Sequence, residues 1–209
     1  MRAFREGRRA AAGIGLAAAL AVLAAAAASA QDSKATPAAP KDTQAQFEPP
    51  GGPGAGQAYL KTFEGEWNVV RNFYPPGGGA PRKATGDCSQ KMVQDGRFLE
   101  SDFTFRSEDG KTSTGTGISG FDPKSGLFTT FWFDSRSTDF SVRQSHEPFD
   151  GKQIVLYSVA LEGSHGQGHS SRTVSHLEDG GRKLIHRQYS VSGDGKDRLV
   201  MELILTRKK

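Results

Sequence analysis

Tight-turn sequences recur along this chain and divide it into short segments. Asp109-Gly110 and Asp150-Gly151 each separate two runs rich in β-branched and aromatic residues, and longer turns with Gly and Asp lie at 122–126, 179–181 and 193–196. Gly and Asp tolerate the positive φ angles that tight hairpins require. Segments joined by such turns pair with their neighbours in sequence, so the pattern predicts an antiparallel meander.

About ten β-rich segments lie between these turns, and none of them has a long helical pattern. They span 65–74, 84–93, 98–106, 112–121, 127–135, 140–146, 153–161, 168–177, 183–191 and 199–207. A meander of this many strands avoids exposed edges best by closing on itself. We therefore expect an all-β fold, an antiparallel up-and-down β-barrel preceded by a short helical turn at 57–63, with an open sandwich as the alternative.

The first thirty residues have the pattern of a signal peptide. Arginines precede an apolar run over 10–28, and Ala28-Ser29-Ala30 provides the small residues of a cleavage site. We expect cleavage after Ala30 and a periplasmic or secreted protein, exported by the general or the twin-arginine route; an uncleaved membrane anchor is the alternative. The Ala/Pro/Gly-rich stretch 31–56 is predicted to be a flexible linker, and 57–209 the barrel domain.

The net charge argues against nucleic acid as a partner. Residues 1–30 contain four Arg and one Glu, so they contribute three of the four net positive charges, and the remaining chain is near +1. A nucleic-acid-binding domain needs a basic face, which this balance does not provide.

Two motifs that suggest chemistry have structural interpretations instead. Cys88 is the only cysteine, and a lone cysteine is usually a small core residue. The sequence Gly115-Thr116-Gly117-Ile118-Ser119-Gly120 matches a dinucleotide fingerprint, which requires a helix after the last glycine. A turn sequence follows instead, so we expect an ordinary strand.

The histidines do not predict a metal or haem site. His165 and His169 are four residues apart but lie in a Gly-rich stretch that is typical of a solvated loop. His186 alternates with Ile185 and Arg187 and is predicted to face outward, away from the apolar face. We therefore predict no metal and no cofactor.

Strand alternation selects candidates for a binding site. Arg187 shares a face with Ile185 and Tyr189, and Arg172 shares one with Val174, so both arginines are predicted to point into the barrel. A charge in that position needs a carboxylate of the chain, such as Asp134 or Glu202, or an acidic ligand. Alternation favours the surface for Glu202 and leaves the direction of Trp132 and Asp134 undecided. The predicted ligand-binding residues are Trp132, Asp134, Arg172, Arg187, Tyr189 and Glu202.

The two ends of the barrel sequence carry a pair that is similar to one in lipocalin-like proteins. Gly65-Glu66-Trp67 opens the first strand, and Arg207 ends the last. In lipocalin-like proteins the guanidinium lies across the indole, an arrangement that stabilises by about 0.5–2 kcal/mol. Gly65, Trp67 and Arg207 are therefore predicted to close the barrel.

Several motifs resemble those of a bacterial domain-of-unknown-function family with a lipocalin-like (calycin-like) architecture. They are Glu64-Gly65-Glu66-Trp67, Gly96-Arg97-Phe98-Leu99, Gly120-Phe121-Asp122 at the end of 117–122, Trp132-Phe133-Asp134-Ser135, and the segment from Glu202 to Lys208. The resemblance spans about residues 58–208. It implies a barrel whose distant relatives bind fatty acids, retinoids or haem. The chain departs from the family at Leu205, where Tyr is usual, and in the loop 163–168.

Together these features favour an exported barrel that binds a small, mostly apolar molecule, with an acidic head group that Arg172 or Arg187 contacts. An enzyme on the same scaffold that uses Asp134, Glu202 and Tyr189 is one alternative. An envelope or partner-binding domain with a filled lumen is another. An open lumen with convergent polar groups would favour binding.

Overall fold

The structure is a computed structural model that describes residues 44–46, 51–160, 170–192 and 196–209. The predicted signal peptide, its cleavage site and most of the predicted linker lie outside these residues, as do His165 and His169. Gln44–Gln46 form a single 3₁₀ turn. Among the described helices, none combines the length and the apolar character that a membrane crossing requires.

Ten antiparallel strands form a closed barrel in which each strand pairs with its neighbours in sequence and the first pairs with the last. The strands are β1 (Gly65–Phe73), β2 (Arg82–Val93), β3 (Phe98–Ser107), β4 (Thr112–Asp122), β5 (Leu127–Asp134), β6 (Phe140–Gln144), β7 (Ile154–Ser158), β8 (Ser171–Glu178), β9 (Lys183–Ser190) and β10 (Arg198–Arg207). The predicted up-and-down barrel of about ten strands is confirmed.

A short helix, α1 (Ala55–Lys61), precedes β1 and contacts β2, β3 and β4. It begins two residues before the predicted turn because the side chain of Gln57 stabilises its start: Gln57 Oε1 accepts from Gly54 N at 2.7 Å. Gln57 Nε2 donates to Phe121 O at the end of β4, 2.6 Å away. These bonds hold α1 across the end of the barrel where the odd-numbered strands begin.

Trp67 and Arg207 join β1 to β10. The two residues are paired in the strand register, and the guanidinium carbon lies 4.2 Å from the centre of the indole ring. Arg207 also donates to the carbonyls of Thr62, Glu64 and Gly181. Trp67 is 0% exposed and donates to Phe63 O at 3.0 Å. The predicted barrel closure is therefore present in the structure.

Gly65 is the third member of this closure. Its φ is +131°, and a Cβ atom there would lie 2.5 Å from Nη1 of Arg207. A side chain at this position would both strain the backbone and displace the guanidinium. The glycine of Gly65-Glu66-Trp67 thus makes room for the arginine that covers the tryptophan.

Cys88 and the glycine-rich segment 115–120 have the structural roles that the sequence predicts. Cys88 on β2 is 1% exposed within the core, and burial raises the pKa of its thiol well above the ordinary range. The six residues that match the dinucleotide fingerprint all lie within β4, and a turn links β4 to β5. Without a helix behind the last glycine, this segment cannot bind a pyrophosphate in the manner of that motif.

On one side of the barrel the usual alternation is reversed. Phe131 and Phe133 of β5 and Phe140 of β6 point outward and are 44%, 49% and 55% exposed. The centres of the Phe131 and Phe140 rings are 6.5 Å apart. The neighbouring inward positions include the polar residues Thr130 and Arg143, which pair across the two strands.

Candidate functional site

The barrel encloses a cavity of about 390 Å³. Its floor is apolar and lies at the α1 end, where Leu60 and Phe63 meet the inward side chains at the nearby ends of the strands. Those side chains include Leu99, Phe128, Ile154, Leu184 and Leu205, all buried. Burial of these groups from water favours an apolar occupant at the bottom of the lumen.

Aromatic side chains from β3 and β5 form one wall of the cavity. Phe103 and Phe105 are stacked with ring centres 5.4 Å apart, and the Trp132 ring meets Phe103 edge to face at 5.6 Å. Trp132 fits here because Gly115 on β4 has no side chain; a Cβ atom at Gly115 would lie 2.4 Å from the indole. The glycines of β4 therefore leave the indole room within the lumen.

A polar part of the lining comes from β6, which pairs with β5, and from β8 and β9 farther round the barrel. It contains Arg143, Thr173, Ser175, His186 and Gln188. Ser175 Oγ and His186 Nδ1 are 2.8 Å apart. Burial, reinforced by the positive charge of Arg143, lowers the pKa of His186 to about 4, so the ring is neutral at physiological pH.

The open end of the lumen contains an ion pair. Asp134 accepts from Trp132 Nε1 at 3.2 Å and from Arg136 Nε at 3.1 Å. The hydrogen bonds from Arg136 lower the pKa of Asp134 to about 2, so the carboxylate is ionised and fully engaged. Arg71 lies nearby with its guanidinium over the Phe105 ring, 4.4 Å from its centre.

Positive charge dominates the lining of the lumen. Among the described residues, three arginines line it, Arg71, Arg136 and Arg143, whereas Asp134 is the one carboxylate. Arg136 is paired with Asp134, and no carboxylate of the described chain lies within ion-pair distance of Arg71 or Arg143. The lumen is therefore suited to an anionic group.

The described residues provide no metal-binding cluster of three or more His, Cys, Asp or Glu side chains. His186 is the histidine on the cavity wall, and the groups around it are Ser175, Arg143 and Gln188. A cation is not expected next to Arg143, because the two positive charges would repel each other.

Two of the six residues predicted to bind ligand line the cavity, Trp132 and Asp134. The other four lie on the outer face of the barrel, because they alternate along β8, β9 and β10 with residues that line the lumen; they are Arg172, Arg187, Tyr189 and Glu202. The structure therefore does not bring the six predicted residues together.

The prediction that Arg172 and Arg187 point into the barrel is wrong. Arg187 Nε donates to Glu202 Oε1 at 2.9 Å. Glu202 is thus the carboxylate partner that the sequence suggested, but the ion pair lies on the outer face of the barrel. Arg172 Nη2 lies 2.6 Å from Asp197 Oδ2, and its guanidinium lies 4.6 Å from the centre of the Tyr189 ring. Both arginines are satisfied by the chain itself.

The prediction that His186 faces outward is wrong for the same reason. The apolar side chain of Ile185 favours the inner face of β9 by alternation, yet Ile185 is buried on the outside, where it pairs with His176 and Ile204 of the adjacent strands. Because β9 has apolar side chains on both faces, alternation of hydrophobicity assigned the wrong face to the lumen.

Sequence reasoning also missed Arg71, Arg143 and Thr173. Arg143 lies two positions from Ser141 on β6 and two from Ser145 just after the strand, so its side of this segment is Ser-Arg-Ser. A polar face reads as solvent-facing when one assumes an apolar interior. The opposite face carries Phe140, Val142 and then the polar Gln144. That face is therefore not uniformly apolar, which was the available signal that it does not line the core.

Comparison with known proteins identifies a matching sequence family and solved structures of similar fold. A family described as "Protein of unknown function (DUF1579)" matches residues 52–207. No curated protein matches the chain.

Among solved structures, the crystal structure of Rv2717c from M. tuberculosis is similar with a TM-score of 0.53 and 17% sequence identity, over 75% of this chain and 99% of that one. A de novo designed fluorescence-activating β-barrel gives a TM-score of 0.37 and 12% identity over 71% of this chain and 96% of its own. At 17% identity the likeness to Rv2717c concerns the fold alone.

Proposed function

The chain belongs to the DUF1579 family, and we propose that its barrel binds a small, mostly apolar molecule with an acidic head group in the lumen. The observation that carries this proposal is a cavity of about 390 Å³ that combines an apolar floor with a cationic wall. Ligand sites in proteins are typically concave, mostly apolar and about 300–1,000 Å³ in volume, with a few polar groups that orient the ligand.

The charge of the lining supports an acidic head group. Arg71 and Arg143 have no carboxylate partner among the described residues, and burial lowers the pKa of both. An arginine nevertheless keeps its charge in proteins, so an unpaired one inside a barrel is destabilising until an anion compensates it. The head group would therefore be held by lumenal arginines and not by Arg172 or Arg187.

The alternatives are less well supported. A filled lumen is at odds with the volume of the cavity. An enzyme that uses Asp134, Glu202 and Tyr189 lacks the required proximity, since Asp134 lines the lumen and the other two residues lie outside it. The lowered pKa of Asp134, caused by Arg136, makes this carboxylate a poor proton donor at neutral pH.

Filling the lumen tests the proposal. Thr129 and Thr130 are adjacent on β5 and face opposite sides of the barrel, Thr130 into the cavity and Thr129 toward Gln144. We expect Thr130→Trp to weaken binding of anilinonaphthalene sulfonate, an anionic apolar dye, by at least tenfold in a fluorescence titration, because the indole occupies the dye's volume.

Thr129→Trp is the matched control and should bind the dye as the unmodified protein does. Equal loss in both variants, or unchanged binding in Thr130→Trp, would place the dye outside the lumen and contradict the proposal. Native mass spectrometry of protein purified from its own host complements the titration, since a bound natural ligand adds mass to the barrel.

We also propose that the protein is exported and processed. The support is the arginine-rich start, the apolar run over 10–28 and the small residues Ala28 and Ala30. We expect mass spectrometry of protein released by osmotic shock to give a mature chain that begins at Gln31.

Ala28→Arg should remain unprocessed, because signal peptidase requires a small side chain at that position. Release of an unshortened chain of the unmodified protein by osmotic shock would exclude cleavage.

A further inference from the structure

Two hydrogen-bonding groups on β6 and β8 of the lumen wall have no partner in the barrel; Oε1 of Gln90, an acceptor on β2 elsewhere on the lining, also has none. Nε of Arg143 and Oγ1 of Thr173 are both fully buried without a hydrogen bond. Thr173 as a whole is 1% exposed, and both residues line the cavity. A buried polar group that lacks a partner is destabilising, so a polar occupant next to these two groups would be favourable.

A third group, His186, lies on the same wall. Its neighbour on β8 is Ser175, which is two residues from Thr173 on the same face, and Ser175 Oγ is 2.8 Å from Nδ1 of the ring. If the hydroxyl donates to Nδ1, the single proton of the neutral ring is on Nε2. Nε2 makes no hydrogen bond to the described residues and is then available as a donor.

The surroundings select an anion for these donors. Arg143 Nη1 donates to Ser141 Oγ at 3.3 Å, and Arg143 has no carboxylate partner in the described chain. Asp134 is the one acidic residue on the described lining, and its carboxylate is already bound by Arg136 and Trp132. A charged donor, a hydroxyl and an imidazole on one wall match the two oxygens of a carboxylate.

The remaining surfaces of the lumen select an apolar body. Phe103 and Trp132 lie on the aromatic wall that β3 and β5 form, and Leu60 and Leu205 contribute to the floor below. A molecule whose charged end contacts the polar wall must place its other atoms against these side chains. The site therefore favours an apolar body, because a second anionic group at the floor would meet hydrocarbon.

We propose that Arg143, Thr173 and His186 bind the carboxylate of a monocarboxylic acid whose hydrocarbon body lies against the aromatic wall and the apolar floor. This inference rests on the proposed function of the lumen and specifies the ligand class and the residues that bind its head group. It assigns the head group to the middle of the barrel wall, apart from the Asp134–Arg136 pair at the open end.

Decanoic acid and decanol test the inference, because they share a hydrocarbon tail and differ in the charged end. We expect decanoate to displace the dye at least ten times more effectively than decanol does at neutral pH, because the charged carboxylate accepts stronger hydrogen bonds from these donors than a hydroxyl does. Arg143→Met should abolish this preference while decanol binding persists. Thr173→Val keeps the shape of the side chain and should reduce the preference for decanoate severalfold. This variant tests the site if Arg143→Met does not fold.

Arg187→Met is the matched control, because Arg187 is an arginine on the outer face and is paired with Glu202. It should retain the full preference for decanoate. Equal binding of decanoate and decanol by the unmodified protein would overturn the carboxylate site but leave lumenal binding intact. Water would then be the partner of Arg143, Thr173 and His186. Binding of neither molecule, nor of the dye, would overturn the proposed function as well. Loss of the preference in Arg187→Met would overturn the assignment to Arg143.

Discussion

Trp67→Ala is expected to lower the free energy of unfolding by about 3–5 kcal/mol, the range for removal of a large buried aromatic side chain. Trp67 is 0% exposed, donates to Phe63 O and lies beneath the guanidinium of Arg207. The substitution therefore leaves a cavity and removes the surface on which Arg207 packs. Urea denaturation monitored by circular dichroism measures the loss.

The second tryptophan of the chain provides the comparison for this experiment. Trp132 borders the cavity and is only partly buried, so Trp132→Ala enlarges an existing space instead of creating a new one. We expect a clearly smaller loss of stability from Trp132→Ala, because the cost of truncation depends on the cavity it leaves. Similar losses in the two variants, or a loss below about 1 kcal/mol for Trp67→Ala, would contradict the role assigned to Trp67.

Acidification is expected to destabilise the barrel by about 3 kcal/mol between roughly pH 6.5 and pH 4, because of His186. Burial and Arg143 lower the pKa of His186 from 6.5 to about 4 in the folded protein. Well above pH 6.5 the ring is neutral in both the folded and the unfolded state and contributes no pH dependence. As the pH falls, the unfolded chain binds a proton that the folded protein does not, so stability decreases until the folded-state pKa is reached.

His186→Gln should remove most of this pH dependence when unfolding free energies are compared at several pH values. His176→Gln is the control, since His176 lies on the outer face of β8 and contacts Glu178. The carboxylates with lowered pKa, such as Asp134, lose their contribution only below about pH 4, where unfolded carboxyl groups become protonated. An unchanged slope between pH 6.5 and 4 in His186→Gln would show that another group is responsible.

The architecture was predictable because hairpin turns and barrel closure leave local signals. Asp109-Gly110 and Asp150-Gly151 lie in turns where the glycine has a positive φ, which few other residues adopt. Closure was predictable from Trp67 and Arg207, which meet although they are far apart in sequence. The ends of the strands were less certain; β7 ends at Ser158, three residues before its predicted end.

The candidate site was only partly predictable from the sequence. Trp132 and Asp134 were candidates whose direction alternation left undecided, and both line the lumen. The assignment of Arg172 and Arg187 depended on the assumption that apolar side chains face inward. In β9 that assumption fails, because Ile185 is buried on the outside while His186 and Gln188 face the cavity. A lumen with a polar wall inverts the expected pattern, and a single sequence gives no independent measure of which face is enclosed.

The pairing of β1 with β10 has a consequence for how the barrel forms. Every other strand pair is a connection between neighbours in sequence, which can form locally and at a small entropic cost. The pair that contains Trp67 and Arg207 instead joins the two ends of the domain. During synthesis, β1 is made first and has one unpaired edge until β10 is complete, so the nascent sheet remains open and exposed to association with other chains throughout that interval.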